Sequence, residues 1–196
     1  MALTVNNVDV ATVTVNGVAL AGVFVNTISV WPDAVIITDA NIIERKVELF
    51  SISTFVNDTV TEVVPGAFAY ASNLQSVTLK ACTSVGLEAF ANCTSLATLR
   101  LDVCKSISNL AFENCTCLFS LYLLTSTVFT ITTSSSVTPF KNTPLSSSTI
   151  SPSGWGSIYV RSSLLSSFKT VAGWSSYSAR FVGLTDAQIM TLLLYS

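Results

Sequence analysis

The chain of 196 residues contains no histidine. That absence removes the commonest general base, the Ser-His-Asp and Cys-His catalytic pairs, and the imidazole ligand of most zinc sites. Charge is scarce as well: nine basic and eleven acidic residues give a formal net charge of −2. No basic field exists to draw in a phosphate backbone or an acidic lipid surface, so nucleic acid is not an expected partner. The acids are scattered, and only Glu44 and Glu48 share a helix-like spacing, which reads as a solvated face. Val15-Asn16-Gly17-Val18 lacks the several glycines and the lysine of a phosphate loop. The chain is expected to have no catalytic residues, no cofactor and no enzymatic activity.

Residues 10–32 and 114–140 carry no charge. Neither suits a membrane span of about 20 apolar helical residues: the first is broken by Asn16, Gly17, Gly22 and Asn26, and the second is loaded with Ser and Thr. Membrane insertion is not expected. The opening MALTVNNVDV lacks a positive segment followed by an apolar one, so the expectation is synthesis in a cytoplasm without a conventional secretion signal.

What the chain does have is a 22-residue period. Ala67-Phe68, Ala89-Phe90 and Ala111-Phe112 begin it, Leu74, Leu96 and Leu118 follow, and Val77, Leu99 and Leu121 stand two residues before Leu79, Leu101 and Leu123. Self-similarity at this length with this leucine pattern predicts a leucine-rich repeat solenoid, β-rich with short helical or irregular turns. Each turn buries its apolar face only by stacking on the next. A strand is expected over 74–80 and its equivalents. Alternation then points Ser76, Thr78, Lys80, Thr98, Arg100, Asp102, Ser120, Tyr122 and Leu124 outward as a ladder on an exposed sheet face. Such a face is either simply solvated or a contact surface. In the second case the contact candidates are Thr78, Lys80, Arg100, Asp102 and Tyr122.

Cys93 and Cys115 occupy equivalent positions of successive turns, as do Cys82 and Cys104. Stacked identical positions form core ladders, and a free thiol is a small buried hydrophobe, so these are expected to be structural. Cys115-Thr116-Cys117 could hint at zinc, but without histidine or a second CxxC pair the ligand set is poor and no metal is expected. The sequons Asn57-Asp58-Thr59, Asn92-Cys93-Thr94 and Asn114-Cys115-Thr116 include two copies of the repeat and are read as structural.

Residues 1–31 hold a second repeat of period ten, Val5-Asn6-Asn7-Val8, Val15-Asn16-Gly17-Val18 and Val25-Asn26-Thr27-Ile28. Asn-Gly between alternating β-branched residues predicts hairpins with tight turns at Asn6-Asn7, Asn16-Gly17 and Asn26-Thr27. So small an all-β strip buries little and needs a partner. Val5, Val8, Val15, Val18, Val25, Ile28 and Trp31 are the assembly candidates, and homo-oligomerisation is expected. Residues 32–59, richer in charge, suit an N-terminal cap. Thr38-Asp39 followed by Ile42-Ile43 and Val47 is compatible with a short amphipathic helix, whereas Val35-Ile36-Ile37 argues for a strand. The repeats are expected over 60–127. The remainder, 128–196, reads as a degenerate repeat at 139–145, a last strand at 156–160, a helix over 162–172 stopped by Gly173, and aromatic packing by Trp174, Tyr177 and Phe181.

The pattern Ala-Phe-x-x-Cys-x-x-Leu-x-x-Leu-x-Leu, carried by residues 89–101 and 111–123, resembles the BspA-like leucine-rich repeat family of bacterial surface proteins and their viruses; the first copy departs from it with Ala71 in place of Cys. Asn142-Thr143-Pro144-Leu145, then Ile158-Tyr159-Val160 and residues 162–174, resemble the module that follows such repeats in proteins of gut Firmicutes and their phages. Ile42-Ile43-Glu44-Arg45 resembles the leading segment of the same architecture. The Val-Asn-Gly-Val units are similar to short β-segments that open phage virion accessory proteins, where they imply attachment to the particle. The resemblance implies a non-enzymatic virion protein of tail or capsid, joined to other virion proteins through residues 1–31. Its repeat domain is expected to touch host cell-surface polysaccharide or protein. A bacterial cell-surface adhesin and a purely architectural virion subunit are the alternatives.

Overall fold

Twenty-two residues suffice for two short strands and the corners between them, and a coil of that size closes only by borrowing hydrogen bonds from the coils above and below. The computed structural model describes residues 13–15, 18–20, 42–43, 52–131, 133, 137–146 and 155–194. Its strands are β1 (Val13–Val15), β2 (Val18–Leu20), β3 (Ile42–Ile43), β4 (Thr54–Asn57), β5 (Glu62–Val63), β6 (Ser76–Leu79), β7 (Ser84–Val85), β8 (Thr98–Leu101), β9 (Ser106–Ile107), β10 (Ser120–Leu123), β11 (Ser157–Arg161) and β12 (Phe181–Leu184). Two helices, α1 (Leu165–Thr170) and α2 (Asp186–Leu194), lie near the C-terminus.

Ten of these strands build two parallel ladders. One sheet has six strands in the order β12-β11-β10-β8-β6-β4, the other four two-residue strands in the order β3-β5-β7-β9. In the larger sheet the register repeats the sequence period: Val77 pairs with Leu99 and Leu99 with Leu121. Alternation therefore sends Val77, Leu79, Leu99, Leu101, Leu121, Leu123, Ile158 and Val160 inward, where all are fully buried. Leu74, Leu96 and Leu118 close the core behind them. Through its middle runs a stack of rings: Phe68 on Phe90 at 4.8 Å, Phe90 on Phe112 at 5.4 Å and Phe112 on Phe140 at 5.4 Å.

The corners turn through positive φ. Gly66, Glu88 and Leu110 occupy one such position in successive coils, and Tyr70, Asn92, Asn114 and Asn142 another. Corner amides then reach across the coils: the Phe68 N–H donates to Ala89 O and the Phe90 N–H to Ala111 O, both at 2.7 Å. Close approach also explains Gly86, where a Cβ would stand 2.6 Å from the Pro65 nitrogen.

The array begins earlier than residue 60. β4 pairs in register with β6, one coil ahead, and β3 pairs with β5, so Ile42–Ile43 is a strand. At the other end the ring stack continues from Phe112 to Phe140 across a longer stretch of sequence, and β11 pairs directly on β10. A 3₁₀ turn at Ser162–Leu164 leads into α1, which stops before Gly173. Gly173 has φ +82, and a Cβ there would run into the backbone carbonyl of Ile131. Trp174, Tyr177 and Phe181 are buried, with Trp174 and Tyr177 packed against Phe140. They close the last coil as expected. β12 and α2 follow, neither of them anticipated from the sequence. β1 and β2 pair antiparallel with Val15 opposite Val18, and the turn expected at Asn16-Gly17 between them lies outside the described residues. The turns expected at Asn6-Asn7 and Asn26-Thr27, the segment 33–41 and the candidates Val5, Val8, Val25, Ile28 and Trp31 lie outside the described residues. Among the described residues no helix is long and apolar enough to cross a membrane.

Candidate functional site

The outward face of the six-stranded sheet is set by the same alternation that builds the core. Its first row is made entirely of hydroxyl side chains: Thr54, Ser76, Thr98, Ser120 and Ser157 stand in register on five adjacent strands. The second row runs Val56, Thr78, Arg100, Tyr122, Tyr159 and Val182. Tyr122 and Tyr159 stack with centroids 4.6 Å apart. Burial, and then the neighbouring Tyr159, raise the Tyr122 phenol above its ordinary value.

The charges on this face are held in ion pairs. Arg100 forks onto Asp102, Nε to Oδ1 at 2.7 Å and Nη2 to Oδ2 at 2.8 Å, a planar bidentate pair. Lys80 Nζ lies 3.1 Å from Asp58 of the preceding coil. Arg161 donates through Nε to Leu124 O at 3.0 Å and approaches Asp186 at 3.5 Å. A face whose charges are closed on each other offers hydrogen bonds and shape more than net charge.

Two of the nine outward positions are buried. Arg100 retains 4% of its surface and Leu124 only 2%. Leu124 is covered because α2 folds back over this end of the sheet and packs Ile189 against Leu124 and Leu184, with Tyr122, Tyr159 and Leu192 around them. Arg100 is covered because it stands between Thr78 and Tyr122 in its row with its guanidinium spent on Asp102. Thr78, Lys80, Asp102 and Tyr122 keep half-buried side chains on the face. Between α2 and the sheet lies an open cleft of about 290 Å³ lined by Tyr122, Tyr159, Leu184, Gln188, Thr191 and Leu192. Of these, sequence reasoning had singled out only Tyr122, because α2 reaches the face from far along the chain.

The cysteines and asparagines are part of the scaffold. Cys93 Sγ donates to Phe68 O and Cys115 Sγ to Phe90 O, both at 3.0 Å, while Cys82 and Cys104 donate to Ser84 O and Ser106 O. All four thiols are buried, and Cys117 is half-buried. Asn114 Nδ2 donates to Asn92 Oδ1 at 2.9 Å and Asn142 Nδ2 to Asn114 Oδ1 at 2.8 Å. Asn57 Oδ1 accepts from the Thr59 and Val60 amides at 2.8 and 2.7 Å. Every sequon asparagine is thus engaged in holding a turn or a ladder. The spacing of Asn92 and Asn114 was the available signal for that ladder, with Asn142 continuing it after the insertion.

In-register coils, a leucine-lined parallel sheet, a central Phe stack and an Asn corner ladder define a leucine-rich repeat solenoid. Within that class the chain matches the BspA type leucine rich repeat region in six copies over residues 45–160, and it belongs to that family. No curated protein and no solved structure matches it. Leucine-rich repeat domains of this kind serve protein binding and adhesion, and the family is generally non-enzymatic.

Proposed function

We propose that this protein is a structural component of a phage particle that displays its repeat domain for contact with the host surface. In this reading residues 1–31 join it to other tail or capsid proteins and to further copies of itself, and the repeats with the C-terminal module are turned outward. The observation that carries the binding role is the outer sheet face: an in-register row of hydroxyls beside Thr78 and Tyr122, with the charges closed in pairs. That chemistry suits a neutral, hydrogen-bonding partner such as a surface polysaccharide or an uncharged protein surface. Thr78, Lys80, Asp102 and Tyr122 are the contacts, and Arg100 holds Asp102 in place beneath them. A single face of this kind binds weakly, and many copies on one particle raise avidity by about 10²-fold or more.

Electron microscopy of purified particles from the source tests the assignment. Density for the chain at a tail or capsid, with the solenoid turned outward, is the expected result; absence from particles overturns it. Membership of the BspA type family favours a second reading, a bacterial cell-surface adhesin, and recovery of the chain in the cell envelope would select it. The binding face is tested separately with Thr78→Glu and Thr98→Lys. Each is expected to leave thermal stability within about 0.5 kcal/mol and to abolish adsorption of the purified protein to host cells. Unchanged adsorption would move the contact off this face.

A further inference from the structure

Four of the five cysteines fall into two pairs, and the solenoid brings each pair onto adjacent coils. Cys82 and Cys104 are 22 residues apart, as are Cys93 and Cys115. The coils that carry them are bound to each other in register. Thr83 and Lys105 follow the first pair, and the Lys105 N–H donates to Thr83 O at 2.8 Å; beside the second pair the Asn92 N–H donates to Glu113 O, also at 2.8 Å. Adjacent parallel rungs stand about 4.8 Å apart, which lies inside the Cα separation of about 4.4–6.8 Å that a disulfide spans. The ladders hold no third thiol. The equivalent positions one coil earlier are Val60 and Ala71, and Thr143 takes the place after Cys115. Each cysteine therefore has one stacked cysteine neighbour in its ladder, and the second pair is held in matching settings, Cys93 Sγ donating to Phe68 O and Cys115 Sγ to Phe90 O, both at 3.0 Å.

We infer that Cys82 with Cys104, and Cys93 with Cys115, are disulfide-forming pairs that staple three consecutive turns of the solenoid when the chain folds in an oxidising environment. The oxidant is a small-molecule disulfide such as oxidised glutathione. One protein thiolate attacks it, breaking its S–S bond and expelling one glutathione thiolate. The stacked thiolate then attacks the protein sulfur of the mixed disulfide and expels the second. Two thiols become one S–S bond, the glutathione disulfide is reduced to two thiols, and the two protons end on those thiols. Neither pair has solvent access in the folded chain, since all four thiols are completely buried. Exchange therefore takes place while the coils are closing, and the folded protein keeps the redox state in which it folded. The pairing is independent of which partner the outer sheet face binds.

The test uses the full chain, unfolded under reducing conditions and refolded with oxidised and reduced glutathione, then alkylated in denaturant. Combined cleavage after basic and acidic residues cuts at Glu88, between Cys82 and Cys93, so that mass spectrometry separates the pairs. Expected are cross-linked peptides joining Cys82 to Cys104 and Cys93 to Cys115, with Cys117 alkylated, native circular dichroism, and a thermal midpoint raised by about 5 °C or more over the reduced protein. Cys82→Ala should lose only the first cross-link and Cys93→Ala only the second. Reduced, already folded protein exposed to the same buffer should oxidise only as fast as it unfolds. Four free thiols in oxidatively refolded, native protein would overturn the inference. So would a Cys115–Cys117 bond, mixed pairings across the two ladders, or cross-linked protein that has lost its fold.

Discussion

The left-handed corner after each ring of the Phe stack sorts side chains by how cheaply they adopt positive φ. Asn92, Asn114 and Asn142 do so with little strain and gain ladder hydrogen bonds there, whereas Tyr70 holds φ 68 with a bulky side chain that is 60% exposed. Tyr70→Asn is expected to stabilise the fold by about 1 kcal/mol. Asn114→Ala, which removes two ladder bonds and leaves a Cβ residue at the same φ, is expected to cost about 1–2 kcal/mol. Urea unfolding of both variants checks this, and changes of the same sign would mean the ladder is not why Asn stands there. The thiols make a second residue-scale case. Burial pushes Cys82 from 9.0 up to about 11; burial, and then the Cys82 neighbour, push Cys104 up to about 12. The folded thiols keep protons that the unfolded chain releases, so their contribution is fully present below pH 9 and is lost as pH rises through about 11 and 12. Cys82→Ala/Cys104→Ala should therefore lose less stability over this alkaline range than the native chain folded and kept reduced, by up to about 1.4 kcal/mol per pH unit for each thiol. Denaturant curves at successive pH values measure it. Parallel pH profiles would rule out protonated thiols held by the fold.

Among the elements, α2 matters most to the candidate site, because it converts one end of an open sheet face into a cleft. It is held mainly by Ile189 on Leu124 and Leu184, a small cluster set apart from the main core. Ile189→Ala is expected to loosen the helix without unfolding the solenoid. Hydrogen exchange should quicken in residues 186–194 while the amides of β6, β8 and β10 keep their protection, and uniform quickening would show that α2 belongs to the same cooperative unit. The strands of the repeats were legible in the sequence, since the register of Val77, Leu99 and Leu121 simply restates their spacing. The burial of Leu124 was not. Strand alternation assigns a residue to a face but is blind to an element that arrives from sixty residues further on and covers that face. Arg100 failed for a related reason: alternation points it outward correctly, but a bidentate pair with Asp102 and stacked neighbours in its row close it off.

Across the whole molecule, stability is nearly one-dimensional, with each coil buried by its neighbours and the last ring of the stack needing a lid. Phe140 ends the Phe column, and Trp174 and Tyr177 supply that lid. Trp174→Ala should cost about 3–5 kcal/mol, and hydrogen exchange should rise first in the C-terminal coils and fade toward β6. An even rise along the array would show that the cap acts globally. The 22-residue spacing by itself determined the class of fold, the inward leucines, the Phe column and the two thiol ladders, because in a solenoid identical positions must stack and stacking is local. Tertiary structure alone decided where the array begins, that β12 extends the sheet, and which outward side chains remain accessible. Those outcomes depend on contacts between distant segments, and no periodicity in the chain encodes them.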